Sequence, residues 1–456
     1  MHTKNKKLPV LITVAMLLFV TSGCKKFLDE KPDVRLAVPV TVADVQALMD
    51  QYDNINGFTA DMGAESDDDF YMKDAYYNTS KTDIQKTYTW DKDAYNEMAW
   101  SYMYKIVLSA NLGLETLEKI NTATGIPAGY NRAKGSALFF RSFAFYQLAQ
   151  YYARPYNASI ATTTPGIPVR LQSDVNTPNI RNNMQETYSQ ITGDLLAALP
   201  LLPDLGTPVS RPSRAACFAL LADVYLTMGQ YDKTKQYADS SLKIKSNLLD
   251  YNTLNATADL PFSQFNAEVV ISFITSGASR LNPNNCIVDS VLFASYEPND
   301  LRKTLFYKSL GTGGGYGFKG NYDGSPYGQL FDGIAVDEVY LLQAEGAARL
   351  GNKDAAIASL NALLVKRYKT GTFVPLTATT AAEALKKVLT ERRKELAGRS
   401  RRWFDLRRLN QDPAFAVSIY RKVNGTVYQL PPNDNRYTFF IPLNVVSLTG
   451  MEQNVR

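Results

Sequence analysis

Apolar residues recur at every third or fourth position through long stretches of this chain, and that period commits most of it to packed helices. From Met98 to Ile120 they fall at Trp100, Met103, Tyr104, Val107 and Leu108. From Asn131 to Tyr152 they fall at Leu138, Phe139, Ala144, Phe145 and Leu148. Further helices are predicted over Glu186–Leu199, closed by Pro200, over Ser213–Met228 behind Arg211-Pro212, and over Tyr231–Leu242. Asp337–Leu350 and Lys353–Tyr368 read as a pair split by Gly351, and Ala381–Ala397 as a last long helix.

Two of these pairs share a tetratricopeptide-like template, in which small residues sit where helices approach closely. Leu221, Ala222, Tyr225, Gly229 and Tyr231 carry it in one hairpin; Ala344, Ala347, Gly351 and Ala356 carry it in the other. Thr234 stands where the first unit would have Ala, and a long stretch separates the two units. A regular solenoid is thereby excluded; ordinary helical hairpins remain the alternative. The expected fold is α-helix-dominated, with long irregular, partly β insertions near 60–95, 151–178 and 248–330. Long loops held on a rigid frame are where binding residues concentrate.

The N-terminal residues bear on compartment. Lys4, Lys6 and Lys7 precede the largely apolar run Leu8–Val20, which is too short to span a bilayer, and then come Thr21-Ser22-Gly23-Cys24. Small residues ending in Gly-Cys are those of a bacterial lipobox, so Cys24 is expected to be acylated and to become the N-terminus. A secreted protein with an incidental cysteine is the alternative. Lys25-Lys26-Phe27-Leu28-Asp29-Glu30 would follow as a charged tether at the membrane surface.

Composition removes several functions. The net charge of +5 falls toward neutrality once those leader lysines go, which does not suggest nucleic-acid binding. His2, in the same leader, is the single histidine, so the mature chain has no imidazole base, metal ligand or triad. Cys217 and Cys286 lack any C-x-x-C spacing. Gly315-Tyr316-Gly317-Phe318-Lys319-Gly320 matches a dinucleotide fingerprint by letter, but no helix start follows it, and no cofactor is expected. Asp67-Asp68-Asp69 lacks calcium-loop spacing and reads as a solvated loop. The basic run Glu391–Leu409 is read as structural, its arginines pairing with Glu391, Glu395 and Asp405 and stacking near Trp403. Two carboxylates suffice for glycoside hydrolysis, but nothing positive points to it.

Tyrosine is the unusual component: 28 Tyr against 21 Phe and 3 Trp. Its flat apolar face and polar edge suit half-wet surfaces that grip sugar rings. Candidate ligand residues are therefore Tyr76 and Tyr77 (with Tyr71), Trp90 (with Tyr88), and Tyr316, Tyr322 and Tyr327 (with Phe318). Trp100, Tyr102 and Tyr104 are read as helix packing.

Several segments, in this order, resemble the SusD/RagB family of outer-membrane lipoproteins from Bacteroidetes. They are Cys24-Lys25-Lys26-Phe27-Leu28-Asp29, Trp100-x3-Tyr104-x-Ile106-x4-Asn111, Arg141-x3-Phe145-x2-Leu148, Gly166-Ile167-Pro168-Val169, and Ala344-Glu345. Glu391-Arg392-Arg393-x-Glu395-Leu396 with Arg402-Trp403-Phe404-Asp405-Leu406-Arg407, then Ile441-Pro442 with Gln453-Asn454, complete the order. Gly398 departs from the pattern, where an acidic residue is common. The resemblance implies a signal peptide over 1–23, a lipidated tether over 24–40 and a single domain over 41–456. Its tetratricopeptide-like hairpins would lie near 98–152, 186–242 and 337–397. It further implies no catalysis, and capture of oligosaccharides, or in some members peptides, as a lid on a SusC-like TonB-dependent transporter. A lipoprotein glycosidase and a purely structural partner of the transporter are the rival readings.

Overall fold

The computed structural model describes residues 38–456 except 124, 175, 177, 179, 276–280, 323 and 325–328. The leader and Cys24 lie outside the described residues, and no described helix is long and apolar enough to cross a membrane. Residues from Val40 to Arg456 form one compact unit.

It starts with α1 (Val42–Met49), which Thr41 and Asp44 open with a reciprocal capping box. Then come the long helices α2 (Glu97–Lys119) and α3 (Tyr130–Tyr152), followed by α4 (Met184–Ala198). Two further hairpins are α5 (Arg214–Thr227) with α6 (Tyr231–Ile244), and α7 (Val336–Arg349) with α8 (Lys353–Leu364). The last long helices are α9 (Ala381–Glu395) and α10 (Arg401–Leu409). Each expected helix is present, with ends displaced by a few residues at most. In succession α2 packs on α3, α3 on α4, α5 on α6, α6 on α7, and α7 on both α8 and α9. The hairpins thus lean on one another, as tetratricopeptide units do, although a long insertion separates α6 from α7.

Residue size explains the close approaches. Ala222, Ala344, Ala347 and Ala356 are fully buried at the helix contacts. Thr234 is buried too, its hydroxyl turned back to donate to the Gln230 carbonyl at 3.1 Å, so it serves as a small residue. At the α6–α7 crossing, a Cβ on Gly346 would meet the Lys235 backbone nitrogen at 3.1 Å and the Tyr231 carbonyl at 3.2 Å.

Helix α3 is surrounded by protein along nearly its whole length. Its Arg141 forks onto Asp194 of α4, with Nε–Oδ2 at 2.8 Å and Nη2–Oδ1 at 2.7 Å, and donates to Asn111 of α2 at 2.9 Å. One guanidinium therefore pins three helices, and a buried charge is tolerated because every side of it is met.

The insertions hold short two-stranded pairings. Strand β1 (Phe70–Met72) pairs antiparallel with β3 (Cys286–Val288), and β2 (Val269–Ile271) with β6 (Ile334–Ala335). Strand β4 (Tyr307–Ser309) pairs with β5 (Tyr316–Phe318), and β7 (Ile419–Val423) with β8 (Thr426–Leu430). The Tyr316 end of the glycine-rich segment is thus strand. Cys217 and Cys286 are both buried, and no disulfide joins them.

Candidate ligand-binding surface

Strand pairing brings together tyrosines that lie far apart in sequence. Tyr71 faces Ile287 across the β1–β3 ladder, and a Cβ on Gly315, one residue before β5, would touch Ile287 at 3.7 Å. Tyr71, Ile287 and Tyr316 therefore lie along one surface. The Tyr71 hydroxyl donates to Asp289 at 2.5 Å and accepts from the Ser290 N–H at 3.1 Å. Burial, and then the bond to Asp289, push the Tyr71 hydroxyl up to about 12. It thus stays protonated at physiological pH and keeps its ring in place.

Asp289 also caps the short helix Ser290–Ala294 through the Leu292 N–H, which sets Phe293 one turn further on. Phe293 stacks on Tyr316 at 3.6 Å between centroids and 17° between planes. Lys303 Nζ lies 4.9 Å from the Phe293 ring and donates to the Tyr296 carbonyl. Tyr316 is 38% exposed, so it caps a pre-stacked layer facing solvent. Tyr76 and Tyr77, on the helix Asp74–Thr79 just after β1, are half-buried against Tyr88 and Cys286.

Other expected candidates are placed differently. Trp90 is 1% exposed: its indole N–H donates to the Ser66 carbonyl at 2.9 Å, and Arg421 lies 4.8 Å from its ring. Tyr322 is 2% exposed, with its hydroxyl donating to Glu268 and Arg399 stacked on its ring at 3.8 Å. Neither offers a face to a ligand, because a cation already covers it. Tyr327 lies outside the described residues. Trp100 is core, 4.8 Å from Tyr104 and 4.9 Å from Tyr152. Phe293 was not signalled by sequence; its role depends on a non-local stack.

The ground beneath this surface is electrostatic. Asp67 and Asp69 are buried and Asp68 nearly so, which corrects the solvated-loop reading. Arg402 reaches Asp68 at 2.6 Å, and Arg393 reaches Asp69 at 2.8 Å and lies 3.8 Å from Asp289. Burial pushes the Asp68 carboxyl up, but Arg402 and Arg393 outweigh it and hold it well below the usual range. The basic run is structural, as expected, and Arg392 does meet Asp405 at 2.8 Å. Most of its partners nevertheless come from other segments, and Trp403 lies against Tyr437 and Phe439 rather than a guanidinium. Gly398 has φ +76°, and a Cβ there would overlap the Phe318 ring at 2.5 Å, so no acidic side chain fits. Among the described residues no cluster of Cys, Asp and Glu is arranged to hold a metal.

Two family models match the chain. One, described as "Starch-binding associating with outer membrane", matches residues 26–226, and the other, the SusD family, matches residues 337–443. Together they cover more than half of the chain.

This protein belongs to the SusD/RagB family.

The first of these descriptions ties the family to starch binding and to the outer membrane. The SusD-like protein P2 of Formosa agariphila is 25% identical over 292 residues, 58% of this chain, and the match spans about half of that relative's length, 54%. A SusD superfamily protein from Bacteroides thetaiotaomicron, 21% identical, has the same fold with a TM-score of 0.74 over 91% of this chain and 100% of that one. A laminarin-binding SusD-like protein, 16% identical, aligns with a TM-score of 0.66 over 90% of this chain and 98% of that one.

Proposed function

We propose that this SusD/RagB protein captures oligosaccharides at the cell surface, held there by acyl chains on Cys24, and passes them without cleavage to a SusC-like TonB-dependent transporter. The observation that carries the reading is the Phe293–Tyr316 stack, a ring layer backed from behind and open in front. A sugar face places its C–H groups on such a ring, while hydroxyls find the polar edge formed by Tyr71 and Asp289. Because the rings are already packed, little side-chain entropy is lost on binding. Tyr76 and Tyr77, just after β1, would extend the surface. Laminarin binding by a fold relative and the starch-binding description of the matching model support a glucan as the first ligand to try.

The test is affinity electrophoresis of the full chain in detergent through gels containing laminarin or soluble starch. Retardation without new reducing ends is expected, with most of it lost in Tyr316→Ala. Release of reducing sugar would replace capture by hydrolysis. Retention of casein peptides with no polysaccharide retarded would make the ligand a peptide. Co-purification with a TonB-dependent barrel, lost in Cys24→Ala, tests the anchor and the partner together.

A further inference from the structure

A second group of rings that solvent reaches is built from other segments of the chain. Tyr52 opens the one-turn helix Tyr52–Ile55, and Phe58 follows three residues after it. Phe58 stacks on Tyr102 of α2 at 4.9 Å and 13°, while Tyr52 meets Phe265 edge-on at 6.3 Å and 82°. Lys105, on the same helix α2 as Tyr102, donates to the side chain of Asn54, on the same short helix as Tyr52, at 2.7 Å, and Asn54 donates to Gln51 at 2.9 Å. Tyr52, Phe58 and Tyr102 are partly buried, Tyr102 with one side against the main core as its helix-packing reading expects, and Phe265 is 41% exposed.

Phe265 has φ +54°, in the left-handed region, where a side chain is strained and Asn or Gly would be at ease. Its ring is nevertheless turned to solvent rather than into a core. The fold does not need an aromatic there: the turn that follows is tied by Asn266, whose side chain holds the Glu268 N–H at 3.1 Å and the Tyr322 carbonyl at 3.2 Å. Strain kept at a position whose side chain faces water points to a use outside the fold.

We infer that Tyr52, Phe58, Tyr102 and Phe265 form a second saccharide-binding platform, separate from the Tyr316 surface. Its rings supply stacking faces, and the amides of Gln51 and Asn54 and the Lys105 ammonium supply groups that hydroxyls can meet. A neutral polysaccharide is the occupant this chemistry fits, because the platform offers hydrogen-bonding groups rather than a continuous apolar groove. Two platforms on one anchored protein hold a polymer by avidity: release at one leaves the chain tethered at the other.

The experiment uses the same laminarin and starch gels with Phe265→Asn, Tyr102→Ala, Tyr316→Ala and the Phe265→Asn/Tyr316→Ala pair. Asn tolerates the left-handed backbone, so Phe265→Asn is expected to leave the thermal midpoint unchanged or raised, while retardation falls at least threefold. Tyr316→Ala is expected to leave residual retardation that the double variant removes. If Tyr316→Ala alone abolishes all retardation, or Phe265→Asn and Tyr102→Ala change none, the second platform is refuted while the Tyr316 reading stands. If Phe265→Asn removes retardation and Tyr316→Ala does not, the platform holds and the Tyr316 reading fails. A lowered midpoint in Phe265→Asn with unchanged retardation reduces Phe265 to a packing residue. Retention of casein peptides that Phe265→Asn removes, with neither polysaccharide retarded, overturns the saccharide assignment.

Discussion

Arg302 and Glu395 meet at 2.9 Å with neither side chain reached by solvent. The same guanidinium holds Asp300 at 2.7 Å and Glu391 at 2.6 Å, and the second oxygen of Glu395 takes Arg367 at 2.7 Å, which continues to Glu268 at 2.9 Å. This chain of charges ties the insertion after α6 to α9 and to Arg367, just past the end of α8. A buried pair stabilises little relative to an apolar replacement of both partners, but removing one partner strands the other. Arg302→Met leaves Asp300, Glu391 and Glu395 short of a cation, and is expected to lose about 3–5 kcal/mol in urea unfolding. A loss under about 1 kcal/mol would mean that Lys394 and Arg367 compensate, and that the network is redundant.

Asp332 should make stability fall as pH rises. Burial pushes its carboxyl up to about 6, despite Arg401 at 2.8 Å. The folded chain then holds this proton more tightly than the unfolded chain, where an aspartate titrates near about 4. The contribution is complete below pH 4 and is lost as pH rises through 6. Asp332→Asn abolishes this titration. The urea midpoint of wild type, minus that of the variant, is expected to decline between pH 4 and 6.5 and then level off. A difference that is flat or rises with pH sinks the assignment.

The frame was readable because its signals are local. Apolar spacing marked α2 through α9, and small residues at Ala222, Ala344 and Ala356 marked where helices touch, since neither signal needs a distant partner. What escaped depends on residues far along the chain. Asp67 to Asp69 look solvated until Arg393, Arg402 and Arg421 fold onto them. Trp90 and Tyr322 look like loop aromatics until Arg421 and Arg399 cover their rings. Tyr316 was visible as a tyrosine in a glycine-rich loop, but its support by Phe293 follows only from the meeting of β5 with the helix that Asp289 caps.

Cys217 and Cys286 are expected to be inert toward thiol reagents in the native protein. Cys217 has no exposed surface and Cys286 is 3% exposed. Burial pushes the Cys217 thiol up, away from the reactive thiolate. Ellman's reagent at pH 8 should leave both untouched until urea unfolds the chain, whereupon both react. Native-state reaction of either at the rate of a free thiol would show that the surrounding core opens readily.

Trp90 and Tyr316 separate a ring that holds the fold from a ring that meets a ligand. Trp90→Ala deletes a buried indole, its hydrogen bond to Ser66 and a face of Arg421, and is expected to cost about 3–5 kcal/mol of stability. Arg421 would then be short of a neighbour near Asp67, whose carboxyl burial already pushes up, so the damage should spread to β7 and the base of β1. Tyr316→Ala removes one exposed stack on Phe293, worth about 1 kcal/mol of stability, yet should weaken polysaccharide retardation about tenfold, or roughly 1.4 kcal/mol. Urea unfolding and affinity electrophoresis on the same two variants check both halves. If Trp90→Ala folds with unchanged stability and loses retardation, the ring is a ligand contact after all and its burial is only one state of the protein.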